Sequence, residues 1–520
     1  MSRPPLAPLS GSLADYPGFS RFVLDWLSGE PKAAALLPRR SPRYGMAASA
    51  DRTEVAAALL AANDAWGIDA EADLRRWQRG ESAAIIAGQQ VGFAGGPLYT
   101  FAKIASLIKM KRRNESAGIP TTLFFWLATE DHDFDEVATV TISRPPEILE
   151  LRAPSSDGRG VVGPQPVPEQ LIADLVRTLG IERPSWLPAG VTFADSFARL
   201  LREVFGSSVV LVDAMTPAVR RAGGRLFGTL IDRWDEVQQQ LDQRAKKISA
   251  AGYAPQVTAR DGEGYTLLYV VEPDGERAVL HKRGGQWQLG GKPIDRAALD
   301  ARIEEHPETI STAALTRPLL QDLVFAPAVF LGGPAEVSYY AQIETLHEML
   351  GIDAPQAALR GHTLVAPKRA LRAMQRYGIP PAQVFQTADS LAAERESSAV
   401  EEISASAARG REALAREIER IREIAFPADH SLARSIRRSI GHLEYHFAKL
   451  GERATKAAAR HDRERYEAIR ELVATLAPRG VPQDRIVAWY PFWRDAGSDM
   501  LTSVIDAIEP DTPTFNIVGI

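Results

Sequence analysis

Short apolar runs alternate with glycine-rich turns and amphipathic stretches over much of the chain. Ser82 to Ala87 is an apolar run of strand length. It enters the turn Gly88-Gln89-Gln90-Val91-Gly92-Phe93-Ala94-Gly95-Gly96-Pro97. The spacing then predicts a helix with Tyr99, Ile104, Leu107 and Ile108 on one side, and Lys109 to Arg113 near its end, where cations suit the dipole. Gly118-Ile119-Pro120 breaks that helix, and Thr122 to Ala128 is a second apolar run. Strand, glycine turn, helix, strand is a βαβ unit. Ser208 to Asp213 reads as a third buried strand, with Pro217 opening a long helix toward Lys247. Val329-Phe330-Leu331 leads into a second turn, Gly332-Gly333-Pro334, and Ala335 to Leu350 reads as its helix.

Other periods fill the rest. Residues 1–80 read as helical and polar, and Val137 to Arg152 alternates like edge strands. Tyr265 to Val271, Arg277 to Lys282 and Gln286 to Leu289, joined by glycine turns, predict an antiparallel insert. Across 388–478, two runs keep a spacing of three, four or seven. One holds Val400, Ile403, Ala407, Leu414, Ile418 and Ile421, the other Leu432, Ile436, Ile440, Leu443, Phe447 and Leu450 through Tyr466, Ile469, Val473 and Leu476. Phe426-Pro427-Ala428-Asp429 separates them, which predicts a coiled-coil hairpin with arms of roughly 50–70 Å. The tail carries Trp489, Tyr490, Phe492 and Trp493 close together.

At 520 residues, two or three domains are expected. A net charge of −5 gives no overall field for nucleic acid. The absence of cysteine removes disulfides, thiolate zinc sites and a thiol nucleophile, and suits a reducing compartment. The first residues lack the apolar core of a signal peptide, and no apolar run approaches the ~20 residues that span a bilayer, so a cytoplasmic protein is expected.

The second apolar run meets the densest chemistry in the chain. Glu130, Asp131, His132, Asp133, Asp135 and Glu136 follow it directly. Like charges that close shift one another's pKa values, and the carboxyl ends of strands are where open α/β sheets bind ligands. A general base, an amine-binding site and a water-rich Mg²⁺ site are all open to such a stretch, with His132 as a proton shuttle; the competing reading is a solvated, helix-capping loop. The glycine turn at 88–97 is suited to close approach of an anion but matches neither Walker A nor G-x-G-x-x-G. Glu336, Ser338 and Tyr339 stand in the first turn after the second glycine bend, where ligand contact and aromatic packing are equally open. His442 and His446 lie one turn apart without the H-E-x-x-H pattern, and no metal ligand set is assigned.

Gly88-Gln89-Gln90, Gly96-Pro97-Leu98-Tyr99-Thr100, Phe125-Trp126-Leu127-Ala128-Thr129-Glu130-Asp131-His132-Asp133, Thr316-Arg317-Pro318 and Gly332-Gly333-Pro334-Ala335-Glu336 together resemble the BshC family, the cysteine-adding ligases of bacillithiol biosynthesis. The resemblance runs through the whole chain. It implies an α/β, Rossmann-like core similar to class I aminoacyl-tRNA synthetases and nucleotidyltransferases, two connecting insertions and a long antiparallel coiled coil that forms a homodimer. On that scheme 1–136, 206–252 and 311–387 build the core, 137–205 and 253–310 are the insertions, 388–478 is the hairpin, and 479–520 packs as a tail. The implied reaction joins cysteine to the amine of glucosaminyl malate, with ATP or another nucleotide for activation and no prosthetic group. The synthetase signatures His-Ile-Gly-His and Lys-Met-Ser-Lys-Ser are absent.

Glu130, His132 and Asp133 are the expected base and amine-binding groups. Gly88, Gln89, Gln90 and the Gly332-Gly333-Pro334 turn would cradle malate or phosphate oxygens. Gly96, Tyr99, Thr129, Asp131, Arg317, Glu336, Ser338 and Tyr339 complete the expected substrate set, and Trp489 and Tyr490 are candidates to stack on a nucleotide. Two rivals stay open: a nucleotidyl or adenylyl transferase acting on another amino acid or amino sugar, and a coiled-coil scaffold that binds a ligand without turning it over.

Overall fold

The computed structural model describes residues 7–44, 52–153, 160–395, 399–425 and 432–520. The chain divides into two compact units, Met1–Lys368 with Val481–Ile520, and Arg369–Gly480.

The first unit is built on a five-stranded sheet, all parallel, in the order Gln356–Leu359, Val329–Gly332, Ala83–Gln89, Thr121–Leu127, Val210–Asp213. Ile85, Ile86, Phe124, Phe125, Leu211 and Val212 are buried, as continuous apolar runs covered on both faces must be. The helix Leu98–Ser116 connects Ala83–Gln89 to Thr121–Leu127. Ala83–Gln89 extends two residues beyond the apolar run, because Gly88 and Gln89 pair in register with Trp126 and Leu127. A Cβ on Gly88 would stand 2.8 Å from the Trp126 backbone oxygen, so this close pairing requires glycine.

After Ala83–Gln89 the chain moves to one side through Thr121–Leu127 and Val210–Asp213. It then returns to the other side through Val329–Gly332. The order therefore reverses between Ala83–Gln89 and Val329–Gly332, and the crevice above their carboxyl ends is the ligand position of an open α/β sheet.

Three expectations change. The long helix from Pro217 is three helices, Pro217–Ala222, Gly224–Asp232 and Trp234–Ala250. Arg233 breaks the last two with φ −106° and ψ 24°, and Gly223 sits where a Cβ would meet Leu320. The N-terminal region is not wholly helical: Leu9–Ser12 pairs with Thr514–Gly519, which pairs in turn with His362–Ala366. Four residues are too few for a period to show. The antiparallel insert is a five-stranded sheet, Lys292–Pro293, Gln286–Leu289, Arg277–Arg283, Leu268–Val271 and Ile310–Thr312, so Ile310–Thr312 joins strands read from the sequence. Thr139–Arg144 and Glu147–Arg152 form a separate hairpin.

In the second unit, Ala399–Ala425 and Leu432–Leu476 pack antiparallel, with Gly410 against the Phe447 ring and Gly451 against Ala407. At 1.5 Å per residue these described stretches extend about 40 and 68 Å. The interruption at 426–429 lies outside the described residues. Leu443 and Leu450 keep the seam spacing but are 56% and 64% exposed, because a two-helix hairpin covers only one stripe.

Candidate active site

The two glycine bends close over the point where the strand order reverses. The first depends on Gly95, whose φ of +85° suits glycine and whose Cβ would stand 2.3 Å from the Trp489 ring. The indole of Trp489 donates to the Gly95 carbonyl at 2.8 Å. The second bend opens the helix Pro334–Leu350, where the Glu336 carboxylate reaches back to accept from the Gly333 N–H at 2.7 Å.

Lys103 joins the bends. Its ammonium donates to the Gly88 carbonyl at 2.7 Å and to Gln89 Oε1 at 2.9 Å, and lies 2.6 Å from Glu336 Oε2. An ammonium has three donors, and all three are used. Burial pulls the Lys103 pKa down, with Glu336 opposing. Burial pushes Glu336 up, but Lys103 and the Gly333 N–H more than offset it and hold Glu336 below its ordinary value.

A cavity of about 510 Å³ lies above this floor. Gly88, Gln89, Gln90 and Tyr99 line one side, and Gly333, Pro334, Glu336 and Tyr339 the other. Arg317, Arg360 and Arg485 also face it. Arg360 is aimed by its ion pair with Asp484 at 2.9 Å, and its guanidinium lies 5.6 Å from the centre of the Tyr99 ring. Burial, followed by the nearby Glu136, raises the Tyr99 phenol well above its ordinary value. Three guanidiniums and an ammonium against two carboxylates make the site suited to an anionic ligand with a cationic group.

The acidic stretch divides on inspection. Glu136 lines the cavity and accepts from Gln90 Nε2 at 3.0 Å. Burial, then Asp133 and Asp131, raise its pKa above the ordinary value. Glu130 instead turns inward, 3.0 Å from Arg220 and accepting from Ser311 at 3.0 Å, with both ionic side chains about 95% buried or more. Thr129 donates to Asp213. Asp131 accepts from the His132 N–H at 2.8 Å, Asp133 caps the short helix Phe134–Val137, and Asp135 pairs with Arg152. His132 is exposed, with Arg277 3.4 Å from its Nδ1. None of Thr129, Glu130, Asp131, His132 or Asp133 lines the cavity.

The remaining expected residues also separate. Gly96 accepts from the Trp489 N–H, Gly332 accepts from the Arg360 N–H at 2.8 Å, and Ser338 donates to the Pro334 carbonyl; they shape the walls without lining them. Trp489 is fully buried and Tyr490 packs edge-on against Trp186, so the expected stacking surface for a nucleotide is occupied by protein.

Lys103, Arg360 and Arg485 were not singled out by the sequence reading, and Glu136 was read only as one member of the acidic stretch. Lys103 carried a signal, a cation within the apolar face from Phe101 to Leu107, which burial permits only with a partner. Arg360 and Arg485 carried none, since only the fold brings them together. Among the described residues, no group of three or more acidic or histidine side chains could hold a metal, and no helix is long and apolar enough to cross a membrane.

Comparison with known proteins agrees with this architecture. The family model for the N-terminal Rossmann-like domain of BshC, of bacillithiol biosynthesis, matches residues 32–361, and that for the BshC C-terminal coiled-coil domain matches 363–520. A Koribacter versatilis protein named "Putative cysteine ligase BshC" is 28% identical, covering 95% of this chain and 96% of its own. A Solibacter usitatus protein of the same name is 29% identical over the same shares. Mycobacterium tuberculosis methionyl-tRNA synthetase, solved with methionyl-adenylate, aligns over 82% of this chain and 94% of its own at 11% identity and a TM-score of 0.24. The two family models meet end to end across the described core and hairpin, and the chain belongs to the BshC family of bacillithiol biosynthesis.

Proposed function

We propose that this chain is a ligase that joins the carboxyl group of cysteine to the amine of glucosaminyl malate. The observation that carries the reading is the mixed charge of one cavity at the sheet's reversal point. Arg317, Arg360 and Arg485 suit carboxylate or phosphate oxygens, and Glu136 suits an amine. Gly88, Gln89, Gln90, Tyr99, Gly333, Pro334, Glu336 and Tyr339 are its proposed substrate contacts, and Gly96, Thr129, Asp131, Gly332 and Ser338 shape them.

Amide formation from a free carboxylate in water is uphill, so the cysteine carboxyl has to be activated. A nucleotide such as ATP would supply the leaving group, and the cavity cations fit its phosphates. The attacking amine has to be neutral, which requires a base. The chain has no cysteine of its own to trap the substrate as a mixed disulfide. We place the protein in the cytoplasm and read the exposed Ile421, Ile424, Leu443 and Leu450 as the face where a second copy packs.

The test is mass spectrometry of purified protein mixed with cysteine and glucosaminyl malate, with and without ATP. The expected product has the summed mass of the two substrates less one water, formed only with nucleotide. No such product under either condition refutes the reading.

A further inference from the structure

Two carboxylates face the cavity, and their surroundings pull them apart. Glu336 is neutralised by Lys103 and tied to the Gly333 N–H. Glu136 has no such cation against it: burial, then the charges of Asp133 and Asp131, raise its pKa. Divergent environments of this kind separate acid–base groups from structural ones.

A single hydrogen-bond chain connects the pair. Lys103 donates to Gln89 Oε1, Gln89 Nε2 donates to Gln90 Oε1, and Gln90 Nε2 donates to Glu136 Oε2. Its direction is forced. Lysine can only donate, so Gln89 turns its oxygen to Lys103 and its nitrogen to Gln90, and Gln90 does likewise toward Glu136. The last member must accept, which it does as a carboxylate. One Glu136 oxygen is thereby held against Gln90 while the side chain lines the cavity wall. The other carboxylates of the stretch are engaged by Arg220, by backbone N–H groups and by Arg152.

We infer that Glu136 is the general base that deprotonates the attacking amine, and that Gln90, Gln89 and Lys103 are positioning residues that aim it. The inference rests on the amide-forming reading of the site. One proton of the bound ammonium passes to Glu136. The freed electron pair forms the C–N bond to the cysteine carbonyl carbon, the bond to the nucleotide-derived group breaks with its electrons, and the second proton leaves with that group.

The test is the pH profile of kcat for the wild type, Glu136→Gln, Glu136→Asp and Asp135→Asn, read by product mass. Wild-type kcat should rise with pH through one ionisation above the ordinary glutamate range. Glu136→Gln should lose that limb and roughly 10²–10⁴-fold in kcat. Glu136→Asp should recover part of the rate with the limb displaced, and carries the test if the glutamine variant fails to fold. Asp135→Asn should match the wild type. A wild-type rate and limb in Glu136→Gln, or an undisplaced limb in Glu136→Asp, overturns the assignment while leaving the ligase reading intact. A wild type that makes no amide overturns both.

Discussion

Lys103 and Glu336 meet at 2.6 Å beneath the cavity, and the same ammonium holds the carbonyl of Gly88. One buried cation thus fixes the spacing of two turns that are distant in sequence. Removing one partner of a buried pair leaves the other uncompensated, at a cost of about 3–5 kcal/mol. Lys103→Met should therefore lower the urea midpoint sharply, and Lys103→Met with Glu336→Met should cost less than the two single changes summed. Additive losses in the double-mutant cycle would show that the pair is not coupled.

Glu130 and Arg220 form a second buried pair, which anchors the acidic stretch from below. Glu130→Gln should behave as a stability variant, with a lowered melting temperature and an unchanged pH limb in kcat. His132→Ala should cost less than the ~10²-fold that loss of a general base entails, because the imidazole lies outside the cavity lining. A disappearance of the pH limb in either variant would return the base to the residues first read from the sequence.

Gly95 and Trp489 test the first glycine bend. Gly95→Ala adds a methyl into the indole at a positive φ, and should destabilise by about 1–3 kcal/mol. The bend lines the cavity at Gly88 to Gln90, so substrate KM should rise as well. Unchanged melting temperature and KM would mean the contact is slack.

His362 gives the chain a built-in acid sensitivity. Burial, then Arg360 and Arg485, hold its imidazole well below the ordinary 6.5. The folded chain keeps it neutral while the unfolded chain takes up a proton, so stability falls as pH drops below about 6.5, by up to ~1.4 kcal/mol per pH unit. His362→Phe, which suits the surrounding rings of Tyr16 and Phe19, should flatten the melting temperature between pH 6.5 and 5. An equally steep loss in the variant would assign the effect to other groups.

The core strands and both glycine bends were legible because each is a local pattern, an apolar run followed by a turn residue. The acidic stretch was legible as chemistry, yet its division was not. Spacing cannot tell Glu130, turned onto Arg220, from Glu136, turned into the cavity, because that depends on partners 90 residues away in one case and 46 in the other. Trp489 misled for a related reason. An aromatic cluster looks alike whether it covers a turn or awaits a ligand.

The most direct test of the cavity as the substrate site is isothermal titration of glucosaminyl malate into the wild type, Arg360→Ala, and Arg177→Ala, whose side chain is 72% exposed. Binding that weakens at least tenfold in Arg360→Ala and is unchanged in Arg177→Ala is the result predicted here. Equal affinity in all three proteins would contradict it.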